Sequence, residues 1–449
     1  MTQAIKTKRS ALSWVPTAYL AEGIPFAMVI WVAGTMFKDL GHSDSEITLS
    51  TASVGIMWSL KPLYAGFLDM FKTKRFWVIA MQLVMAALLG ILAMSLTLPN
   101  YFVIVILLLW LLAFASATQD ICIDGVYITA LDQKAQGKFM GVQGAFWNAG
   151  RIFATAVVVG AASYLQKQGM DAKSAWAMAL AVSMGAMAVL AAYHYIVLPS
   201  GSVPERPKNA AAVAVTFRDQ FLDFLKKPHL LGMLTFVFLY RLGEGFLLIE
   251  APLFMQGSVA NGGLGMCATN AISAACPHFL EDKALIDGFI STVVSLAFGM
   301  LGGFFAGKYG LTRKTLVFMA LCLNLPHITF YILSCMVSPD APVSLPVIAT
   351  LVTIEKAGYA FGFVANMLYM MQQISPGKYH MTHYAYCTAI MNLVLIPTQM
   401  VSGFLADHMG FQTFFLVVMA ASIPSVLGAY FAPFPNKVEG DAKLGVARH

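Results

Sequence analysis

Long apolar stretches restrict the fold of this chain more than any other feature of its sequence. A helix needs about 20 apolar residues to cross the hydrocarbon core of a bilayer, because every backbone polar group must find a partner within the protein. Twelve such stretches lie at 13–37, 47–68, 76–98, 102–129, 138–166, 175–198, 229–255, 285–307, 315–337, 344–374, 380–405 and 411–432. They predict an all-α membrane protein with twelve transmembrane helices.

The composition argues against a soluble protein or an enzyme. Only 11% of the 449 residues are charged, whereas soluble domains carry about 25%. The sequence has no phosphate-binding loop and no nucleophile motif, so an ATP-driven pump and a hydrolase lack support. The cysteines are scattered without a metal-binding pattern, and we expect neither a metal nor a cofactor.

Basic residues indicate the orientation in the membrane. If residue 1 is cytoplasmic, twenty Lys and Arg residues fall in cytoplasmic segments and only four, Lys38, Lys167, Lys173 and Lys283, fall in external loops. Cytoplasmic loops are enriched in Lys and Arg, so we expect both ends of the chain inside the cell. The net charge of +6 then needs no nucleic-acid partner.

A polar stretch divides the predicted helices six and six. We expect an N-terminal six-helix half at 1–198, a cytoplasmic linker at 199–228, and a C-terminal six-helix half with a short cytoplasmic tail at 229–449. Within the linker, Phe217, Phe221 and Phe224 recur at helical spacing beside basic residues. This spacing predicts a helix on the cytoplasmic interface.

The two halves repeat short motifs. Tyr19-Leu-Ala-Glu22-Gly23 in the first predicted helix resembles Tyr240-Arg-Leu-Gly-Glu244-Gly245 in the seventh. Repeated halves with a site between them are typical of carriers that work by alternating access. Glycines and charges after the second and eighth helices predict paired gating loops, with Gly66, Asp69, Lys74, Arg75, Gly303, Gly307 and Arg313 as their residues. Cys267 and Cys276 share an external loop, where an oxidising compartment permits a disulfide; free thiols are the alternative.

Charged residues inside the predicted helices are the candidates for function. Each costs about 2.5–3.5 kcal/mol at a helix centre, so it normally faces a partner or a water-filled cavity. The candidates for proton coupling are Glu22, Asp120, Asp124, Glu244 and Glu355. The candidates for substrate binding are Lys61, Gln119, Asn148, Arg151, Arg241 and Lys356.

Structural alternatives exist for these assignments. Arg241 and Glu244 are spaced i, i+3 and can form a pair that neutralises itself. Lys61 and Arg151 either meet an anionic substrate group or act as counter-ions to the acids.

Two further pairs of charged residues leave open which partners their side chains meet. Asp120 and Asp124 repel each other, so one is neutral or both meet a cation such as Arg151. The alternative for Asp124 is an interfacial, solvated position. Glu355 and its sequence neighbour lie about 100° apart around their helix. We therefore expect Glu355 to face the cavity and Lys356 to pair elsewhere.

Several segments resemble the AmpG-type permeases of the major facilitator superfamily. They are Tyr19–Phe26, Ser116–Asp124, Leu239–Glu244, and the regions around Glu355 and Asp407. The paired loops resemble the superfamily signature, although the second copy has Gly307 where an acid is expected. AmpG-type permeases tend to have an arginine where this chain has Asn148, with Arg151 one turn later. The run Thr118–Gly125 is equally similar to acetyl-coenzyme A transporters.

The resemblance implies a proton-coupled symporter that imports a bulky polar or anionic solute, with an anhydro-muropeptide as the first candidate. The alternatives are a siderophore or coenzyme A ester transporter, a drug efflux pump and, from a different class, a membrane-embedded receptor. The expected partners are a small-molecule substrate, protons and the lipid bilayer. We expect a monomer in the bacterial inner membrane.

Overall fold

The computed structural model describes residues 10–68, 72–131, 133–201, 210–269, 271–377 and 379–436. Nearly all of this part of the chain is helical, and ten of its segments are long and apolar enough to cross a membrane. They are Ala11–Asp39, Lys74–Ser95, Tyr101–Ala130, Val142–Lys167, Ala172–Val197, Leu230–Gln256, Leu280–Tyr309, Arg313–Met336, Leu345–Ile374 and Thr382–Phe431. The structure thus agrees with the predicted all-α membrane class.

The helices are numbered in chain order. They are α1 (Val15–Ala27), α2 (Ala33–Asp39), α3 (Asp44–Val54), α4 (Ile56–Ser59), α5 (Lys61–Leu68), α6 (Lys74–Ser95), α7 (Tyr101–Ala130), α8 (Gln133–Ile152), α9 (Val159–Lys167), α10 (Ala172–Val197), α11 (Ala210–Leu225), α12 (Leu230–Tyr240), α13 (Leu242–Gln256), α14 (Leu280–Lys283), α15 (Ser291–Tyr309), α16 (Arg313–Asn324), α17 (Ile328–Met336), α18 (Leu345–Tyr369) and α19 (His380–Phe431). Short 3₁₀ turns occupy Ala11–Ser13, Val259–Asn261 and Leu325–His327, and wider π-helical turns occupy Met28–Val32, Phe153–Val158, Ala284–Ile290 and Met370–Ile374.

The ten apolar spans of the structure and the twelve predicted stretches differ in two regions. Residues 44–68 form α3, α4 and α5 in succession, with turns at Gly55 and Leu60. The predicted stretches 380–405 and 411–432 both run through α19, where Gly410 has a φ of 74°. Glycine adopts this φ without a steric penalty because it has no Cβ atom, so Gly410 interrupts the helix. The count of twelve remains a prediction.

The spans define two sides of the molecule. The disulfide side holds a pair of two-residue parallel strands, β1 (Met266–Cys267) and β2 (His278–Phe279). A disulfide joins Cys267 to Cys276 there, as the sequence permits. The linker side holds Ser10, Thr73 and α11, which contacts α5 and α19.

Two arginines at corresponding positions in the two halves cap helix C-termini on the linker side. The Arg75 guanidinium at the start of α6 donates to the carbonyl of Tyr195 near the end of α10. Arg313 at the start of α16 donates to the carbonyl of Tyr430 near the end of α19, at 2.5 Å. Each cation therefore satisfies free carbonyls at a helix C-terminus. Of the other predicted gating residues, Gly66 lies in α5, Lys74 begins α6, Gly303 and Gly307 lie on the exposed surface of α15, and Asp69 lies outside the described residues.

The predicted linker helix is present as α11, with its aromatic face turned toward the protein. Phe217 and Phe221 stack on each other, and each ring lies 6.0 Å from the ring of Tyr386 in α19. Phe224 is buried against His383 and Tyr386. The aromatic side chains therefore dock α11 onto α19, because α19 offers an aromatic surface that buries them.

Candidate transport site

Three carboxyl groups from two helices meet inside the first half of the chain, the part before α11. Glu22 of α1 and Asp120 and Asp124 of α7 each have a carboxylate oxygen within 4.8 Å of the others. The Tyr19 hydroxyl donates to Asp124 at 2.8 Å. One Glu22 oxygen is buried without a hydrogen-bond partner. The predicted proton-coupling residues of this half thus form one carboxyl cluster.

The cation of this cluster comes from α5. Lys61 forms an ion pair with Asp120 and lies near Glu22 and Asp124. The suggestion that Arg151 neutralises the two aspartates is therefore wrong, because α8 directs Arg151 elsewhere. For Lys61 the structure shows the counter-ion alternative. The Lys61 ammonium group thus acts on all three carboxyl groups of this cluster.

A second buried ion pair lies in the half of the chain after α11. Arg241 donates through Nε to a Glu244 oxygen at 2.7 Å and through a terminal nitrogen to the other oxygen. The i, i+3 spacing predicted this pair, and both side chains are almost fully buried. The guanidinium also lies 4.8 Å from the centre of the Phe363 ring. Its position is thus held by charge and by an aromatic face.

Glu355 and Lys356 differ from the prediction made from their helical angle. Their side chains form an ion pair at 3.1 Å, although they are sequence neighbours. The flexible Lys356 side chain can fold back over the helix surface and so reach its neighbour despite the angle between them. Glu355 is buried, lies 3.9 Å from Nε2 of His327, and is not among the residues lining the central cavity.

A central cavity of about 580 Å³ lies between the two halves. Its walls are mainly aromatic and aliphatic. They include Phe26, Trp31, Trp58 and Trp147 from the first half and Tyr359 and Phe363 from the second. Of the predicted substrate-binding residues, Asn148, Arg151 and Arg241 line this cavity. Apolar walls with a few placed polar groups are typical of small-molecule sites.

Arg151 presents a positively charged side chain to this cavity. Its guanidinium stacks 4.5 Å from the centre of the Trp31 ring, and its Nε has no hydrogen-bond partner. The acid that acts on it electrostatically is Asp287, in the π-helical turn before α15. Arg151 is therefore positioned by an aromatic ring and keeps an unused donor.

Two predicted substrate contacts have other partners. Gln119 is fully buried and donates to the carbonyl of Ala21 at 2.9 Å, so it ties α7 to α1. Asn148 lines the cavity but donates to the carbonyl of Gly144 in its own helix, at 2.9 Å. The expectation that Gln119 faces the substrate is not met, because its face of α7 packs against α1.

The disulfide side of the cavity is closed by polar contacts between the halves. Lys283 and Gln256 both donate to Thr35, at 2.9 Å each. The backbone N–H of Ser45 donates to Asp407 at 2.9 Å. Further contacts join Thr48 to Gly403 and Lys167 to Glu281. These residues, together with Lys38, Asp44 and Glu250, form the disulfide-side gate.

Sequence reasoning missed several charged residues of this region. Glu250 and Asp287 lie within predicted helices but were not counted among the intramembrane acids, and Lys283 was assigned to an external loop. In the structure Lys283 is only 4% exposed and Glu250 is fully buried. A complete count of acids in the apolar stretches 229–255 and 285–307 would have found both acids.

Curated relatives cover nearly the whole chain. AmpG 4 of Rickettsia conorii, classed as a transporter, is 23% identical over 424 residues, which is 91% of this chain and 92% of the relative. AmpG 4 of Rickettsia felis is 22% identical over 419 residues, with the same coverage. No family model matches the chain.

Solved transporter structures share the fold. The nucleoside transporter NupG superposes with a TM-score of 0.67 at 16% identity, over 95% of this chain and 99% of that one. A D-xylose–proton symporter gives 0.65 at 15%, over 94% and 98%. The chain is thus similar over most of its length to proteins named AmpG, and it shares the fold of these solved transporters. A structure of a proton-dependent oligopeptide transporter adds a TM-score of 0.65 at 12% identity, over 94% and 98%. Ten helical segments of the described chain are long and apolar enough to cross a membrane, and these similar proteins are named as transporters.

Proposed function

We propose that this transporter is a proton-coupled symporter that imports a bulky polar, anionic solute by alternating access. The observation that carries the proposal is the carboxyl cluster around Lys61. If Glu22, Asp120 and Asp124 were all ionised, the cluster would hold two uncompensated negative charges within the membrane. Like charges this close together favour proton uptake, so at least one carboxyl group binds a proton.

The cluster is close enough to the cavity for proton binding to influence the solute site. Glu22 lies one turn before Phe26 on α1, and Phe26 lines the cavity. The Phe26 ring packs on Trp31, Trp58 and Trp147, with ring centres 4.8–5.6 Å apart. A change in the charge of Glu22 can therefore reach the aromatic wall through one helix.

The cavity walls support a solute that has both a negative group and flat ring faces. Arg151 offers an unused donor for a carboxylate or phosphate, and the surrounding aromatic rings offer apolar faces for a sugar or base. An anhydro-muropeptide combines sugar rings with carboxylates and is the first candidate, supported by the resemblance to AmpG-type permeases. Two of the fold relatives are proton-coupled by name.

The proposed topology follows the charge bias of the loops. Twelve helices form two six-helix halves, 1–198 and 229–449, joined by a linker at 199–228, with both ends in the cytoplasm. The disulfide side then faces outward across the bacterial inner membrane, and the closed gate corresponds to an inward-facing carrier. We propose that the monomer is the transporting unit.

Coupling is tested by uptake into proteoliposomes with an inward proton gradient. We expect wild-type protein to accumulate muropeptide and to lose accumulation when an uncoupler is added. Glu22→Gln is expected to retain exchange of solute but not uphill uptake, because the side chain keeps its shape and cannot release a proton.

The matched control is Asp340→Asn, which removes an exposed acid on the disulfide side and should leave accumulation unchanged. Accumulation that ignores the uncoupler rejects proton coupling. Full concentrative uptake by Glu22→Gln rejects the assignment of this residue.

A further inference from the structure

Glu250 is a buried acid that the transport mechanism proposed above does not use. It lies on α13 with no exposed surface, and no N–H or hydroxyl group of the described residues donates to its carboxylate oxygens. Its contact is with the Asp44 carboxyl group, and two carboxyl groups can hydrogen-bond only if one of them carries a proton. Its carboxyl group lies beside that of Asp44 at the start of α3, across the contact between the halves. The backbones of α3 and α19 approach closely here. A Cβ atom on Gly403 would overlap the backbone of Asp44.

One cation is shared by the two neighbouring carboxyl groups. Lys38 of α2 forms an ion pair with Asp44 and also acts electrostatically on Glu250. Asp407 of α19 is exposed and accepts from the backbone of Ser45. A buried carboxylate without a cation of its own is so costly that the group takes up a proton instead.

Other charged groups on the surrounding helices have partners of their own. His42 pairs with Glu46, Asp39 accepts from Gln166 and Trp176, Lys167 pairs with Glu281, Asp282 accepts from the backbone of Phe279, and Lys283 donates to Thr35. None of these contacts supplies Glu250 with a positive charge. The closed gate is therefore compatible with a neutral Glu250.

We propose that Glu250 is a proton-binding residue of the disulfide-side gate, and that the gate closes with Glu250 protonated. On closing, a carboxylate oxygen forms an O–H bond with a proton from the water on the disulfide side. On opening, the halves separate, this bond breaks and the proton returns to the same water. The inference rests on the alternating access proposed above, but this proton is distinct from the transported one because it does not cross the membrane.

The direction of the pH effect follows from the proton count. Closing takes up one proton, so the ratio of closed to open molecules falls as the pH on the disulfide side rises. One proton changes this ratio by at most about tenfold per pH unit. An acidic exterior would thus favour closure after solute has entered.

The gate can be followed by the distance between spin labels on two exposed disulfide-side residues, Asn100→Cys and Asp340→Cys. The exposed native thiol of Cys335 is replaced by alanine throughout. The distance is measured by pulsed electron resonance on substrate-free protein in nanodiscs, from about pH 5 to about pH 9. Over this range a one-proton equilibrium shifts by about tenfold per pH unit. We expect wild-type protein to shift from the closed to the open distance as pH rises.

Glu250→Gln keeps the size of the side chain and cannot ionise, so its closed population should persist at high pH. Glu250→Met serves as a second neutral variant if the amide folds poorly. The matched control is Asp171→Asn at the disulfide-side start of α10, an exposed acid outside the gate; asparagine keeps an oxygen acceptor for the backbone of Ser174, and the wild-type pH response should be retained.

A wild-type pH response in both Glu250 variants, or a single distance at every pH in the wild type, overturns the inference. The distance measurements use neither solute nor a proton gradient. A failure of this inference is therefore distinguishable from a failure of the proposed proton-coupled uptake.

Discussion

Arg151 shows how a single residue acquires a function from its surroundings. Its guanidinium is desolvated within the cavity wall, held over Trp31, and left with an Nε donor that no group of the described chain accepts. Arginine presents planar paired donors, whereas lysine is a point charge. A solute with a carboxylate or phosphate would therefore lose a directed contact if lysine replaced this arginine.

We predict that Arg151→Lys raises KM by about tenfold, equivalent to about 1.4 kcal/mol, with a smaller change in kcat. The charge is preserved, so the loss reports geometry and ring stacking. Initial uptake rates at several solute concentrations measure the effect. Arg218→Lys on the exposed surface of α11 is the control, and an unchanged KM in Arg151→Lys would exclude it from the solute contact.

At the scale of elements, the packing of α1 on α8 depends on two facing glycines. A Cβ atom on Gly23 would overlap the carbonyl of Trp147 and lie 3.2 Å from the Cα of Gly150. Small residues allow membrane helices to approach backbone to backbone. This contact places Glu22 on α1 and Arg151 on α8 in their two separate environments.

We predict that Gly23→Ala destabilises the protein by about 1–3 kcal/mol, because the added methyl group forces the helices apart. Gly160→Ala is the matched control in α9, since no heavy atom lies within 4 Å of its Cβ position. Alanine there should be neutral or stabilising by up to about 1 kcal/mol. Thermal unfolding in detergent compares the two, and equal melting temperatures would contradict the close contact.

At the scale of the whole molecule, polar contacts between the two halves close the disulfide side of the cavity. Lys167 of α9 and Glu281 of α14 pair at 2.5 Å across the two halves. If the halves rock against each other, this pair must separate once in every cycle.

We therefore predict that a short bismaleimide bridge between Lys167→Cys and Glu281→Cys abolishes uptake. Cys335→Ala removes the exposed native thiol, and the Cys267–Cys276 disulfide leaves no free thiol nearby. Each single variant, treated with the same reagent, should keep transporting. If the fully bridged protein still takes up solute, transport does not require α9 and α14 to separate.

The sequence by itself determined the features that depend on residues close to one another along the chain. Apolar length predicted the membrane helices because burial in lipid requires it wherever it occurs. The i, i+3 spacing predicted the Arg241–Glu244 pair because both residues share one helix face. Motifs spread over both halves indicated an AmpG-like transporter.

Only the tertiary structure decided which distant charges meet. Lys61 reaches Asp120 from another helix, Arg151 lies over Trp31, and Glu250 meets the opposite half of the chain. Such contacts depend on the rotation and depth of each helix against its neighbours, which side-chain packing sets across long sequence separations. Hydrophobic pattern alone carries no information about that rotation where a helix is apolar on all sides.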